Sequence, residues 1–252
     1  MTTGAWALLV RNQTLGFLRE PAAAVFNLAL PLFIVLVQAL AYGDSLVGKE
    51  LPGLKVADVL PIGAGVTYLA IVGIFGAGVG LASMVEARTL ASFRLRPGGV
   101  GSVVSAYIVV LIALSLTGFA LGILTLMVGW NARGAQHWWA LLPAALLGAV
   151  ACCALGGFIA SVSASPRSAQ AIASALFFPV LFLSGALIPL DAFPRGLEAI
   201  AKALPGYHLN ELLGWVWLSD QPSPWPHIAY LVVAGALAGG FALRRFRRRE
   251  DL

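Results

Sequence analysis

Six long apolar stretches dominate the sequence, and they constrain what the chain can fold into more than any other feature. A helix rises about 1.5 Å per residue, so about 20 apolar residues cross the roughly 30 Å hydrocarbon core of a bilayer. In chain order, the stretches are residues 22–42, 59–85, 100–130, 138–163, 169–189 and 226–243. Only 11% of the 252 residues are charged, against about 25% in ordinary soluble domains. The sequence therefore predicts an all-α membrane protein with six transmembrane helices.

The basic residues predict the direction of the six spans. With both termini in the cytoplasm, eleven of the 16 Lys and Arg residues fall inside and five outside, which is the bias that the positive-inside rule describes. The predicted parts are a cytoplasmic interfacial helix at residues 1–21, a six-span transmembrane domain at 22–243 and a basic cytoplasmic tail at 244–252. Beside a span, such a tail is expected to meet anionic lipid heads and not nucleic acid.

Two connecting segments carry more information than the spans. The turn after the second span, residues 84–97, combines a helical apolar rhythm with Arg88, Arg94 and Arg96. A short basic helix of this kind suits a groove on a soluble partner. A basic loop that only fixes the topology has the same composition, and the residues alone leave both interpretations open.

The segment after the fifth span predicts two short amphipathic helices. Apolar residues recur at helical spacing from Phe193 to Leu204, with proline at positions 194 and 205, and a second helix covers about residues 207–218. Neither helix is long enough to span, and Trp and Tyr favour the interface. We expect both to lie in or dip into the outer leaflet as interfacial or re-entrant helices. An ordinary outer loop is the alternative.

Together these features resemble the permease subunit of type-2 ABC transporters, the bacterial drug, polysaccharide and lipid exporter family. The resemblance rests on the six spans, the basic turn, and Ser184-Gly185, Pro189, Phe193-Pro194, Leu197, Leu204-Pro205 and Tyr207. Two departures leave the subfamily open. Ala87-Arg88 precedes Thr89-Leu90 where the family often has an acidic-Gly-Thr-Leu run, and Pro205-Gly206-Tyr207-His208 replaces a Pro-Leu-Thr-Tyr-like end.

The resemblance implies that this chain supplies the path and a partner supplies the energy. The basic turn is then the coupling helix that contacts a separate P-loop ATPase, which binds ATP and Mg²⁺. Two permeases, identical or related, pair around a central path in the bacterial inner membrane. The ATPase-coupling residues are Glu86, Arg88, Thr89, Leu90, Arg94 and Arg96. The outer gate or re-entrant segment comprises Phe177, Phe178, Phe182, Ser184, Gly185, Pro189, Pro194, Pro205 and Tyr207.

No catalysis, cofactor or metal is expected of this chain itself. It has no G-x-x-x-x-G-K-[ST] motif, which P-loop ATP hydrolysis requires. The adjacent Cys152 and Cys153 are expected to pack as small apolar residues. Ser184, with His208 or His227 as a base, suggests an intramembrane protease. However, no nucleophile elbow surrounds Ser184, which is expected to hydrogen-bond its own backbone. The three histidines lack metal-ligand spacing.

An ion-coupled secondary transporter is the stronger alternative. Such coupling usually leaves an ionisable residue within the spans, whereas these spans contain no Asp, Glu, Lys or Arg except Glu86 at an edge. An exporter of an amphipathic, lipid-linked or drug-like substrate is therefore favoured. Candidate path-lining residues are Asn27, Gln38, Tyr68, Tyr107 and Thr117. Local or interhelical hydrogen bonding is the other role expected for each of them.

Overall fold

The computed structural model describes residues 3–19, 25–47, 53–87, 99–186, 193–218 and 222–250, with backbone only for residues 3–5, 18, 25, 26, 99 and 247–250. These residues form helices, and the only strand-like pairing within those ranges is one β-bridge between Leu46 and Lys55. The helices are α1 Thr3–Arg19, α2 Leu30–Tyr42, α3 Val56–Glu86, α4 Gly99–Trp130, α5 Trp138–Val162, α6 Pro166–Phe182, α7 Arg195–Lys202, α8 Pro205–Trp217 and α9 Trp225–Glu250.

Four helices are long and apolar enough to cross a membrane: α3, α4, α5 and the Trp225–Phe246 part of α9. They correspond to the second, third, fourth and sixth predicted spans. Helix α2 falls within the first predicted span, has 13 residues and follows directly on a π-helical segment, Val25–Ala29. Helix α6 has 17 residues and begins at Pro166, before the fifth predicted span starts at residue 169. Residues 20–24, before this π-helical segment, and residues 187–192, after the turn that follows α6, lie outside the described residues. The six-span count and the orientation stay predictions.

Two helix boundaries differ from the sequence expectation. Helix α3 begins at Val56, because Asp58 at its third position accepts a hydrogen bond from the Lys55 N–H at 2.9 Å. An acidic residue therefore lies inside a candidate span, contrary to the expectation that only Glu86 does so. Helix α9 continues to Glu250, so the basic tail predicted after the last span begins as part of the same helix.

Helix α3 lies at the centre of the bundle and contacts α2, α4, α5, α6 and α8. A π-helical segment, Ile71–Ala77, occupies its middle. There a Cβ on Gly73 would overlap Cys152 of α5, and a Cβ on Gly156 of α5 would overlap the Gly73 carbonyl oxygen. The two helices therefore meet backbone to backbone. Cys152 and Cys153 are buried free thiols at this contact, which fits the predicted packing role.

The bundle has two distinguishable ends. At one end, the start of α3, residues 130–139 and the end of α8 lie together. We call it the outer end after the predicted topology. Five of the seven tryptophans, Trp130, Trp138, Trp139, Trp215 and Trp217, lie there, and tryptophan favours the membrane–water interface.

At the opposite end, α1 packs against the start of α4. Leu9 of α1 joins Met84 and Val85 of α3 in a small apolar cluster with the first residues of α4. The Trp6 Nε1–H of α1 also donates to Ser105 Oγ at 3.3 Å. The first predicted interfacial segment is thus helical from Thr3 to Arg19 and lies beside the end of α3 that precedes the basic turn.

Candidate functional site

Helix α6 is followed by a buried turn, residues 183–186, which we name the Ser184 turn. Ser184 Oγ donates to the Leu181 carbonyl at 2.8 Å and accepts from the Ala186 N–H at 3.1 Å. Ser184 is fully buried, and Gly185 has a φ of 85°, a left-handed conformation that glycine adopts without steric cost. Ser184 therefore hydrogen-bonds its own backbone, as predicted.

The Ser184 turn is wedged between α3 and α8. A Cβ on Gly63 of α3 would stand 2.7 Å from the Ala186 carbonyl oxygen. A Cβ on Gly206 of α8 would overlap the Val180 carbonyl oxygen and lie 3.2 Å from Ser184 Cβ. No side chain fits at either glycine, so the backbones of α3, α6 and α8 meet at this turn. Because such close packing transmits displacement, movement of α3 is expected to move the turn.

Helix α8 dips into the bundle instead of lying along its surface. Leu209 and Leu69 both lie against Gly148 of α5, and Leu213 lies against Gly65 of α3. Leu209 and Leu213 are almost completely buried. The sequence prediction of a second helix near residues 207–218 is correct. Of the two placements expected for it, the packing matches the one in which the helix dips inward.

The C-terminal end of α8 is fixed by a set of contacts that we name the outer clamp: Asp58, Arg133, His137, Trp215 and Trp217. Asp58 is buried and accepts a hydrogen bond from the Arg133 N–H at 2.8 Å. The Trp217 Nε1–H donates to the Arg133 carbonyl at 3.1 Å. The His137 ring stacks on Trp215 with centroids 4.3 Å apart. The outer clamp thus ties α8 to the start of α3 and to the loop between α4 and α5.

The N-terminal end of α8 carries a second group of side chains, the His208 cluster: Tyr207, His208, His227 and Tyr230. The Nδ1 atoms of His208 and His227 are 3.0 Å apart, and the His208 ring stacks on Tyr230 at 3.7 Å. The Tyr207 ring lies 5.2 Å from the His208 ring. The cluster joins α8 to α9. Sequence analysis included Tyr207 but missed the other three, because no local pattern relates positions 208 and 227.

Charged side chains adjoin the His208 cluster. Lys202 Nζ is 2.6 Å from Glu198 Oε1 on exposed α7, and this ion pair raises the pKa of Lys202. Burial raises the pKa of Glu211, and Lys202 opposes that shift. The pKa of His208 is lowered, first by burial and then by the charge of His227. Because charges avoid hydrocarbon, this face of α7 is expected to be in water.

The three predicted gate phenylalanines lie in different environments. Phe177 is buried and meets Phe75 of α3 edge-on with centroids 5.2 Å apart. Phe178 and Phe182 are 53% and 45% exposed, and their rings stack at 6.3 Å. Phe177 therefore packs against α3, whereas the other two form an exposed aromatic pair next to the Ser184 turn. Pro194 precedes α7 and Pro205 begins α8, as predicted.

The candidate path-lining residues differ in burial and in their hydrogen-bond partners. The Tyr107 hydroxyl donates to the Gly76 carbonyl at 2.9 Å, and the Tyr68 hydroxyl to the Leu28 carbonyl at 3.4 Å. Asn27 is buried close to these two. Thr117 is exposed and donates to the Ala113 carbonyl on its own helix at 2.8 Å, and Gln38 is half-buried on α2.

Only one of the predicted coupling residues belongs to the described structure. Glu86 is the last residue of α3. Arg88, Thr89, Leu90, Arg94 and Arg96 lie outside the described residues, as does Pro189 of the outer segment. Within the residues that the structure describes, no group of three or more His, Cys, Asp and Glu side chains is arranged to hold a metal ion.

Comparison with known proteins identifies the family to which this architecture corresponds. Residues 4–216 match the ABC2_membrane family model, described as ABC-2 type transporter. A 102-residue part of the chain is 32% identical to Nodulation protein J of Rhizobium leguminosarum bv. viciae. That alignment covers 39% of this chain and 38% of the relative. The family match extends from α1 through the Ser184 turn and nearly to the end of α8.

Proposed function

Because the chain belongs to the ABC-2 type transporter family, we propose that it is the membrane subunit of an ATP-driven exporter. The family consists typically of non-catalytic permeases, so the chain is a multi-pass membrane protein that supplies the path. ATP and Mg²⁺ bind a separate P-loop ATPase. A second copy, or a related permease, completes the path in the bacterial inner membrane.

The observation that carries this proposal is the continuity of α3. This 31-residue helix begins in the outer clamp at Asp58, contacts the Ser184 turn through Gly63 and ends at Glu86, directly before the basic turn. Closure of the ATPases pushes the basic turn, and α3 transmits the push to the outer segment. The buried backbone contacts at the Ser184 turn suit this role because they leave little free space to absorb the movement.

The proposed substrate is amphipathic, lipid-linked or drug-like, and it moves outward. The exposed aromatic pair Phe178 and Phe182 supports an apolar ligand beside the Ser184 turn. Entry from the inner leaflet suits such a molecule. The exposed Arg244 and Arg245, near the C-terminal end of α9, are placed to contact anionic lipid heads at about 1 kcal/mol per basic residue.

Asp58 is an ionisable residue inside α3, and such a residue is the feature that an ion-coupled transporter would require. Its carboxylate accepts hydrogen bonds from the backbone N–H groups of Lys55 and Arg133 at 2.9 and 2.8 Å. The Arg133 Nε lies 3.9 Å away from it. These partners assign Asp58 to capping α3 and holding the outer clamp. An ATP-driven mechanism therefore remains the better proposal.

Affinity purification of the tagged full chain from its native membranes tests the proposal. We expect the wild-type chain to recover a P-loop ATPase. The double variant R94E/R96E should lower that recovery by about tenfold, corresponding to about 1.4 kcal/mol of docking free energy, with normal membrane insertion. The matched control R244E/R245E makes the same charge change on α9 and should retain the ATPase.

Two results would reject this assignment. One is the absence of any P-loop ATPase from the wild-type preparation. The other is equal ATPase recovery with R94E/R96E and with the control variant, which would remove the basic turn from the interface.

A further inference from the structure

His208 and His227 form a direct ring-to-ring hydrogen bond that the transport mechanism above does not use. Their Nδ1 atoms are 3.0 Å apart, and His208 Nε2 is 3.0 Å from the Lys202 carbonyl oxygen. Tyr230 stacks on His208, and its hydroxyl donates to the Ala203 carbonyl at 2.6 Å. The pair therefore lies where the end of α7 and the starts of α8 and α9 meet.

The hydrogen-bond partners of His208 determine which ring nitrogens carry protons when both histidines are neutral. A carbonyl oxygen only accepts, so His208 Nε2 must carry the hydrogen that points at Lys202. A neutral imidazole has one N–H, which leaves His208 Nδ1 as an acceptor. The His227 Nδ1–H then donates to it. Both observed contacts of His208 are then hydrogen bonds with one donor and one acceptor each.

The same geometry limits how many protons the pair can hold. One added proton fits on His227 Nε2, because His227 Nδ1–H still donates to His208. A second proton must go to His208 Nδ1, where it faces the Nδ1–H of His227 across 3.0 Å. Two N–H groups and two positive charges then point at each other. This doubly protonated state is incompatible with the observed contact.

We propose that the His208–His227 pair is a pH-sensitive latch that holds α9 against α8 and the adjoining end of α7, and that it opens when both rings become protonated. The exposed charged residues on α7 place the latch next to water. The latch does not depend on the identity of the substrate or on an ATPase partner.

The direction of the pH effect follows from the packing. Burial and the charge of His227 lower the pKa of His208 in the closed form, whereas a solvated histidine in the open form has a pKa of about 6.5. The open form therefore binds the last proton more tightly. The latch is stable above about pH 6.5 and loses stability as the pH falls toward the lowered pKa of His208.

The other charged groups near the pair are identifiable. On α7, Glu198 and Lys202 form an ion pair. Tyr207 and Glu211 lie on α8, and Tyr230 lies on α9. Both phenols titrate well above this range. The pKa of Glu211 is raised by burial, so it needs its own control.

Three other helices pack against α8. Within its described residues, α3 has Asp58, held by Arg133 in the outer clamp, and Glu86 at its far end. Helix α5 has no Asp, Glu, Lys or Arg, and α6 has only Arg167, in its first turn. The contacts of Asp58 lie at the C-terminal end of α8, whereas the pair lies at its N-terminal end.

The experiment measures opening and protonation on the full chain in nanodiscs. Spin labels at Ala199→Cys on α7 and Ala229→Cys on α9, in a Cys152→Ala/Cys153→Ala background diluted with unlabelled chain, report the distance between these helices. Because the chain has only three histidines, ¹⁵N NMR can follow each ring. We expect the longer-distance population to increase about tenfold per pH unit once the second proton binds.

H227Q provides the decisive variant. The glutamine amide can donate to neutral His208 and, after rotation, accept from protonated His208, so the distance should become independent of pH. H137Q removes the histidine outside the pair, and E211Q removes the nearby carboxyl group. Both should retain the wild-type pH response.

Three results would overturn the latch. The first is an unchanged distance between pH 8 and 5 while both rings become protonated. The second is a wild-type pH response in H227Q. The third, read from the NMR spectra of the wild-type chain itself, is failure of either ring to gain a proton down to pH 5. The outcome is independent of the ATPase test, because no partner or nucleotide is present.

Discussion

Gly206 and Gly196 each stand second in a short helix, yet their surroundings differ. A Cβ on Gly206 would overlap the Val180 carbonyl oxygen, whereas nothing lies within 4 Å of a Cβ on Gly196. We expect G206A to lower the free energy of unfolding by about 1–3 kcal/mol, as overpacking does. G196A, the matched control, should be neutral or slightly stabilising. Thermal unfolding in detergent measures both, and equal midpoints would contradict the close packing of the Ser184 turn.

The buried carboxylate of Asp58 is expected to stabilise the outer clamp. D58N leaves an amide facing the N–H groups of Lys55 and Arg133, so it should cost about 1–3 kcal/mol. Amide hydrogen exchange at these two residues should accelerate. D44N removes the carboxylate of an exposed ion pair with Lys55 and should cost under about 1 kcal/mol. Similar exchange in both variants would argue against the outer clamp.

For individual residues, the sequence was informative where the chemistry is local. Pro194 and Pro205 mark helix starts because proline fits there without losing a helical hydrogen bond. Ser184 hydrogen-bonds its own backbone, as predicted, because its partners Leu181 and Ala186 are close in sequence. The His208–His227 contact could not be predicted, since it arises only when α8 and α9 pack side by side.

Among the elements, the π-helical segment of α3 is the feature that apolar periodicity did not indicate. Within this segment, the Gly76 carbonyl accepts a hydrogen bond from the Tyr107 hydroxyl, and the nearby Gly80 leaves room for the Tyr107 ring. Apolar length located the four helices that are long enough to span, but the helix boundaries shifted. Asp58 caps α3 earlier than the hydropathy indicated. Helix α9 continues through its arginines, and Phe246 within that stretch packs in the main apolar cluster.

The π-helical segment yields a prediction for Y107F, which removes one hydrogen bond to α3. We expect a loss of about 0.5–1.5 kcal/mol in unfolding free energy and faster amide exchange within Ile71–Ala77. Y42F alters an exposed tyrosine on α2 and is the control. An unchanged exchange pattern in Y107F would show that this hydroxyl does not hold the π-helical segment.

The topology of the whole molecule is testable by cysteine labelling in intact cells. A membrane-impermeant maleimide should reach Glu198→Cys from outside, because α7 is exposed in the predicted outer segment. It should not reach Arg94→Cys until the membrane is permeabilised. Cys152 and Cys153 are buried and give little background. The reverse pattern of labelling would overturn the predicted orientation.

We propose that this chain provides the path while an ATPase partner provides the energy. An environment-sensitive fluorophore on Ala199→Cys, in a Cys152→Ala/Cys153→Ala background, reports movement of α7 in sealed vesicles. With the ATPase bound, we predict a spectral shift on addition of ATP and Mg²⁺. The chain alone should show no shift when a sodium gradient is imposed, or a proton gradient with both sides above about pH 7, where the His208–His227 latch stays closed. A shift driven by the ion gradient without the ATPase, or no shift with ATP, would rule out this division of roles between the two proteins.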